Sequence, residues 1–221
     1  MSTASKIFTL ACEEGILDRN PMQHVRMLKE PPPRSRLLTA EEKERLWSEL
    51  QKDTLLLRLV TLAVNLPLRR GQLLAITPDA IDLTMCCLLA PPSKGRNVRI
   101  VPLNNIAMNT LQLMVTECQL PFPLKDFRKR WKRVTVAAKI NKEDGKRGEN
   151  FTFHDLRHQL ASELINQHNV NPETVRKLFG HSDMSITQVY MNADFETLQR
   201  ALNTLDATNP QPTQEIDGPP N

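Results

Sequence analysis

Tyr190 is the single tyrosine of a 221-residue chain. It closes the run Gly180-His181-Ser182-Asp183-Met184-Ser185-Ile186-Thr187-Gln188-Val189-Tyr190. Upstream stand His154-Asp155-Leu156-Arg157-His158 and, earlier still, Leu68-Arg69-Arg70-Gly71. A phenol hydroxyl can act as a covalent nucleophile. A guanidinium offers a planar fork of donors that matches phosphate oxygens, and histidines can move protons. The set points to phosphoryl transfer, in the form of DNA strand cleavage through a phosphotyrosine.

Each member also has a plainer reading. His154 and Arg157 lie three apart at the start of a helix and so share one face, where free N–H groups and the macrodipole attract anions. His154 and His158, four apart, have the spacing of a zinc pair or of ordinary core histidines. No HExxH pattern and no carboxylate or cysteine at ligand spacing accompanies them, so no metal is expected. Arg69 sits in a tight Leu66-Pro67-Leu68-Arg69-Arg70-Gly71 connection, which presents its side chain at a helix start; alone, an Arg-Arg pair is a solvated surface element. Lys94 lies at a hairpin turn, Ser93-Lys94-Gly95-Arg96-Asn97, and could give a proton to a leaving oxygen or be a charged turn residue. As phosphate ligands, Arg69 and Arg157 are expected to be removable with little loss of stability.

The elements that must position these groups follow from periodicity. Apolar spacing over 4–17 predicts a helix ending before Asn20-Pro21, and Pro31-Pro32-Pro33 predicts a stiff connector. Thr39-Ala40-Glu41-Glu42 is a capping box for a helix to about Leu50. A leucine- and valine-rich helix is expected over about 53–65. Residues 80–103 read as a small hairpin or three-stranded sheet, with its turn at Pro91-Pro92-Ser93-Lys94-Gly95. Helices are expected at about 104–118, 124–139, 154–168, 172–179, 185–191 and 194–205, with Asn171-Pro172 as cap and first residue of one. From Ala207 onward there is little to bury, and a disordered tail is expected. The domain plan is therefore residues 1–33 as the last helix of a truncated upstream domain plus linker, 34–206 as a catalytic domain, and 207–221 as tail. The fold class is mainly α with a small antiparallel sheet, α+β.

Charge is uneven. The net is +4, but residues 1–150 hold 25 Lys/Arg against 16 Asp/Glu and residues 151–221 hold 4 against 9. A basic body suits a binder of the phosphate backbone, which gains from counterion release. The segment Lys125–Arg147 carries ten Lys/Arg and three Asp/Glu. Phe127, Trp131, Val134 and Ala138 can face inward while Arg128, Lys129, Lys132, Arg133 and Lys139 face out. With Arg70 and Arg96, the residues Arg128, Lys129, Lys132 and Arg133 form the expected DNA-contacting set. The four cysteines form no framework, which favours a reducing compartment. Neither a signal peptide nor a bilayer-length apolar run is apparent, so a cytoplasmic, nucleoid-associated protein is expected, with no membrane partner.

Joined in order from about Arg36 to Leu205, the motifs resemble the tyrosine recombinase (phage integrase) family. The resemblance aligns Arg69, in Leu66-Pro67-Leu68-Arg69-Arg70-Gly71-Gln72, with the family's first catalytic arginine, and Lys94 with its hairpin lysine. His154 and Arg157 align with the H-x-L-R-H box, with His158 supporting, and His181 and Tyr190 with the L-G-H…Y box. It implies the tyrosine recombinase catalytic-domain fold, no cofactor, Tyr190 as nucleophile and a 3′-phosphotyrosine intermediate. It further implies double-stranded DNA attachment sites as partners, a homo-tetramer on DNA and possible accessory DNA-bending proteins. Residues 4–30 resemble the last helix of the family's core-binding domain. Two departures stand out. Pro67 replaces a usual glycine, and Gln72 stands where an acidic residue often supports the site. A type IB topoisomerase shares the nucleophile, and a non-catalytic DNA-binding fragment would share the charge pattern. The apolar face of the last helix, Phe195, Leu198, Ala201, Leu202 and Leu205, could dock on a neighbouring subunit or on its own domain.

Overall fold

The computed structural model describes residues 3–25, 36–92, 98–123, 125–145, 150–180 and 193–209. Lys94, Arg96, His181 and Tyr190, and the helix expected over 185–191, lie outside the described residues. The chain divides into two compact units, Met1–Arg34 and Ser35–Asn221.

The first unit is one helix, α1 (Thr3–Glu13), followed by a 3₁₀ turn, Pro21–His24. The helix stops short of the expected Leu17 because Gly15 takes φ +72° and the Ile16 N–H bonds back to the Ala11 carbonyl at 2.9 Å. That left-handed turn is where glycine is at home. Asn20 caps the 3₁₀ turn and donates to the Thr9 hydroxyl at 2.9 Å, folding the strand-like exit back on α1. Ile7, Leu10 and Ile16 are exposed.

The second unit is built around α3 (Thr54–Asn65), which is buried over nearly its whole length. Its leucines and valines fill the centre of the core, and a narrow polar stripe, Arg58, Thr61 and Asn65, is buried with them. Around it pack α2 (Ala40–Leu50), α5 (Asn105–Thr116) and α7 (Phe153–Asn166). The expected capping box closes α2, with Thr39 Oγ1 accepting from Glu42 N–H at 3.2 Å and Glu42 Oε2 accepting from Thr39 N–H at 3.1 Å. Three short strands, β1 (Ile81–Asp82), β2 (Cys87–Ala90) and β3 (Arg99–Pro102), form an antiparallel sheet in the order β1-β2-β3. Leu88 pairs with Val101 and Ala90 with Arg99. Among the described residues, the sheet and the α-helices fall where the periodicity predicts, apart from one short addition, α4 (Arg70–Leu74), directly after Arg69.

The remaining helices are α6 (Phe127–Ala137), α8 (Pro172–Leu178) and α9 (Ala193–Asn203). Asn171 caps α8 by accepting from Glu173 N–H at 2.8 Å, with Pro172 at the first helical position. The apolar face of α9 docks on its own domain. Leu198, Ala201, Leu202 and Leu205 pack with Leu160, Leu164, Val175 and Leu178, and Phe195 lies against Cys87 and Ile100. The expected tail is corrected at its start. Ala207 closes a 3₁₀ turn, and Asn209 donates to Asn65 Oδ1 at 3.1 Å. Asn65 is fully buried and also accepts from Asn104 at 2.8 Å, so the chain is held three residues further than its composition suggests.

Candidate functional site

Arg69 is the residue before α4 and is half-buried, in extended backbone at φ −76° and ψ 153°. Its own N–H donates to Gln72 Oε1 at 3.2 Å, while Gln72 Nε2 donates to the Pro91 carbonyl at 2.7 Å. Gln72 therefore ties the arginine turn to the base of the β2–β3 hairpin. A carboxylate at this position could accept from Arg69 but could not donate to Pro91, so the departure from an acidic residue supplies a bond that an acid lacks. Arg70, exposed, lays its guanidinium over the Phe127 ring at 5.1 Å.

The other arginine is delivered by α7. Phe151 and Phe153 are buried and bracket Thr152, whose backbone N–H donates to Asp155 Oδ2 at 2.6 Å. Phe153 meets Phe127 and Trp131 edge-on, at 5.1 and 5.4 Å between ring centroids, which fixes where α7 begins. Further along, Gln159 and Glu163 hold the helix to the core: Gln159 Oε1 accepts from Leu38 N–H at 3.1 Å, and Lys43 pairs with Glu163. Between these anchors Arg157 is 7 % exposed.

Arg157 donates through Nη1 to the Pro67 carbonyl and through Nη2 to the Phe179 carbonyl at 2.9 Å, and its guanidinium stacks on the Phe179 ring at 4.4 Å. The expectation that it serves phosphate alone is corrected. Its bonds also join α7, the turn before Arg69 and the end of α8, so its loss costs stability as well as charge.

His154 is exposed on the same face of α7. Its ring meets His158 edge-on at 4.9 Å. Loss of surrounding water, then the positive fields of His158 and Arg157, hold its pKa below the ordinary imidazole value, with Asp155 opposing and Arg69 adding to the shift. That lowering keeps the ring neutral at neutral pH, able to accept a proton. Arg157 and Arg69 are thus both near enough for their charge to act on His154. Among the described residues, no group of three or more His, Cys, Asp or Glu side chains is arranged to hold a metal ion, and no helix is long and apolar enough to cross a membrane.

The basic face of α6 is oriented as its pattern predicts. Trp131, Val134 and Ala138 are buried, and Arg128, Lys129, Lys132, Arg133 and Lys139 are exposed. Two of its arginines have a second task. Arg130 donates through Nε to the buried Asp53 at 2.8 Å, and Arg133 reaches the same carboxylate at 3.1 Å. Asp53 also caps α3 by accepting from Leu56 N–H at 3.2 Å. Burial is the largest influence on Asp53 and opposes its charge, but the Arg130 and Leu56 hydrogen bonds and the two cations outweigh it and hold the carboxyl below its usual range.

Sequence reasoning gave Arg99 no role. In the structure it stands on β3 and donates to the Leu178 carbonyl and, at 2.9 Å, to the Pro67 carbonyl that Arg157 also uses. The one available signal was a cation in a strand that continues into buried Ile100 and Val101.

Comparison with known proteins completes the description. The chain is 29 % identical over 195 residues to the shufflon-specific DNA recombinase of Escherichia coli, covering 86 % of this chain and 49 % of that protein. It is 27 % identical over 204 residues to tyrosine recombinase XerC of Caldanaerobacter subterraneus subsp. tengcongensis, covering 85 % and 56 %. The chain thus spans about half the length of these curated relatives. In fold it is similar to a lambda integrase dimer bound to a COC′ core site, with a TM-score of 0.64, 22 % identity, and coverage of 97 % of this chain and 60 % of that one. It is also similar to the integrase from mycobacterium phage Brujita, with a TM-score of 0.58, 19 % identity, and coverage of 96 % and 72 %. Residues 36–197 match the phage integrase family, and with the arginine turn, the sheet and the α7 box arranged as described, the chain belongs to that family.

Proposed function

We propose that this chain acts in site-specific DNA recombination, cutting and rejoining strands through a 3′-phosphotyrosine formed by Tyr190. Tyr190 attacks the scissile phosphorus and frees a 5′-hydroxyl; the phosphoester conserves the bond energy, so the strand can be resealed by the reverse displacement. Arg69 and Arg157 offset the charge that grows on the non-bridging oxygens. His154, kept neutral, assists removal of the phenol proton; His181 donates to a non-bridging oxygen, and Lys94 protonates the leaving oxygen. Gln72 and His158 support these groups. A phenol of ordinary pKa near 10 is activated only within the assembled site.

One observation carries this reading: the Pro67 carbonyl receives Arg157 from 90 residues away along the chain, tying the second arginine to the turn that presents the first. The partners are double-stranded DNA attachment sites, contacted by Arg70, Arg96 and the exposed face of α6. The relatives' structures include a lambda integrase tetramer bound to a Holliday junction, and a homo-tetramer on DNA is proposed for this protein, with accessory DNA-bending proteins. It acts in the cytoplasm on the nucleoid. Residues 1–33 are read as the end of a second DNA-clamping domain and its linker, and the part from 34 to 206 as the catalytic domain.

A DNA duplex nicked beside the cleavage position tests the reading, because the freed fragment diffuses away and traps the intermediate. A covalent protein–DNA adduct is expected with the native chain and none with Tyr190→Phe. An adduct that survives Tyr190→Phe removes Tyr190 as nucleophile, and binding without adduct across candidate sites favours a passive DNA-binding protein.

A further inference from the structure

We propose that Arg99 is a positioning residue of the site: by sharing the Pro67 carbonyl with Arg157 and holding the Leu178 carbonyl, it sets where the Arg157 guanidinium stands relative to Arg69. The proposal rests on the reading of Arg69 and Arg157 as phosphate ligands.

A carbonyl oxygen has two lone pairs, and Pro67 uses its oxygen for two guanidinium groups, Arg99 Nη2 at 2.9 Å and Arg157 Nη1. Two cations on one acceptor repel, and the arrangement holds because each has a further acceptor at the end of α8, Leu178 for Arg99 and Phe179 for Arg157. Those carbonyls form the negative end of the α8 dipole, where a cation is favoured. Arg99 is rooted in the sheet by its pairing with Ala90, so the bridge refers the Pro67 turn to a rigid element. Pro67 contributes its own stiffness, since its φ is fixed by the ring.

Gly180 supports the same assignment. It has φ +70°, and a Cβ there would lie 3.1 Å from Arg99 Nε and 3.2 Å from Cζ. The chain leaves α8 by a turn that only glycine fits easily and that gives the Arg99 guanidinium its room. Removing the guanidinium frees one lone pair of Pro67 and takes the Arg99 donor from the Leu178 carbonyl. The turn before Arg69 and the Arg157 fork then lose their common reference, and errors of about 1 Å in such a site cost about 10²-fold in rate.

The test uses Arg99→Ala and Arg99→Lys in the full chain, with single-turnover cleavage of saturating nicked duplex, duplex affinity, and ¹⁵N NMR of the arginine side chains. Arg99→Ala is expected to cleave about 10- to 100-fold more slowly with affinity changed less than about twofold. The Arg157 Nη signals, separate in the native chain because the fork is held, should merge. Arg99→Lys keeps the charge but cannot bridge two carbonyls as a planar fork does, so it is expected to behave like Arg99→Ala. Unchanged Arg157 signals, or a rate loss matched by an equal affinity loss, overturn the proposal; the latter would make Arg99 a direct DNA contact. If Arg99→Ala fails to fold, Arg99→Lys carries both measurements. If the native chain yields no adduct, the strand-cleavage reading fails by itself and the Arg157 signals alone decide the role of Arg99.

Discussion

Two arginine clusters in this molecule are bonded in opposite ways. Around Asp53 and Glu117 the cations meet carboxylates: Arg130 and Arg133 converge on Asp53, and Arg58 grips Glu117 through both oxygens, at 2.5 and 2.8 Å. Around Pro67, Arg99 and Arg157 both donate to main-chain carbonyls. A carboxylate cancels the charge it binds, whereas a neutral carbonyl orients a cation without cancelling it. The first kind of cluster fastens helices together. The carbonyl bonds of the second fix where two guanidinium groups stand and how their planes are turned.

The sharpest way to break this comparison is to remove one charged side chain from each cluster. Arg157→Ala is expected to abolish adduct formation, by about 10³-fold or more, and to cost about 2 kcal/mol because the bonds to the Pro67 and Phe179 carbonyls are lost. Asp53→Ala is expected to cost about 3 kcal/mol, from the loss of a helix cap and the uncompensated Arg130, with cleavage per folded molecule unchanged. Urea denaturation and adduct yield together read both. If Asp53→Ala slows chemistry as much as Arg157→Ala does, the division between fastening and orienting contacts is wrong.

Acid sharpens the same contrast. The folded-state pKa of Asp53 lies below its ordinary value, so its contribution to stability is complete above the unfolded carboxylate pKa near 4. It disappears as pH falls through the lower folded value. Asp53→Asn should flatten the urea midpoint over that window; a midpoint that still falls as steeply would assign the acid sensitivity to other carboxylates.

The smallest effect concerns the surface of α6. Reversing Arg128 and Lys129 together is expected to reduce the salt slope of DNA binding by about two counterions. Reversing Arg133 alone should change it by less than one, because that side chain also serves Asp53. Slopes measured between low and moderate salt decide the matter, and an unaltered slope in the double variant removes α6 from the interface.

How much of this was legible in the sequence depends on the kind of bond involved. The caps at Thr39 and Asn171 and the buried stripe of α6 use side chains at fixed local spacing, so the pattern reveals them. The arginine turn and the α7 box could be aligned as motifs. The Pro67 bridge could not be foreseen, because its acceptors are carbonyls, which every residue carries, and its donors come from strands and helices distant in the chain. The same holds for Asp53, whose arginine partners lie on α6, far along the chain. Gln72 was visible as a departure, but its donation to Pro91 depends on how the hairpin folds back. Short α4 escaped notice because five residues are too few to show a period.

One buried amide has a further consequence. The oxygen of Asn65 is gripped by Asn104 at the head of α5 and by Asn209 near the chain's far end, while its own N–H₂ holds the Thr61 carbonyl at 2.8 Å. Whatever follows Asn209 is therefore moored at the foot of α3, a few links of backbone ahead of Arg69. A tug on that mooring, from a fused tag or a docked protein, would be felt first at the turn that carries Arg69.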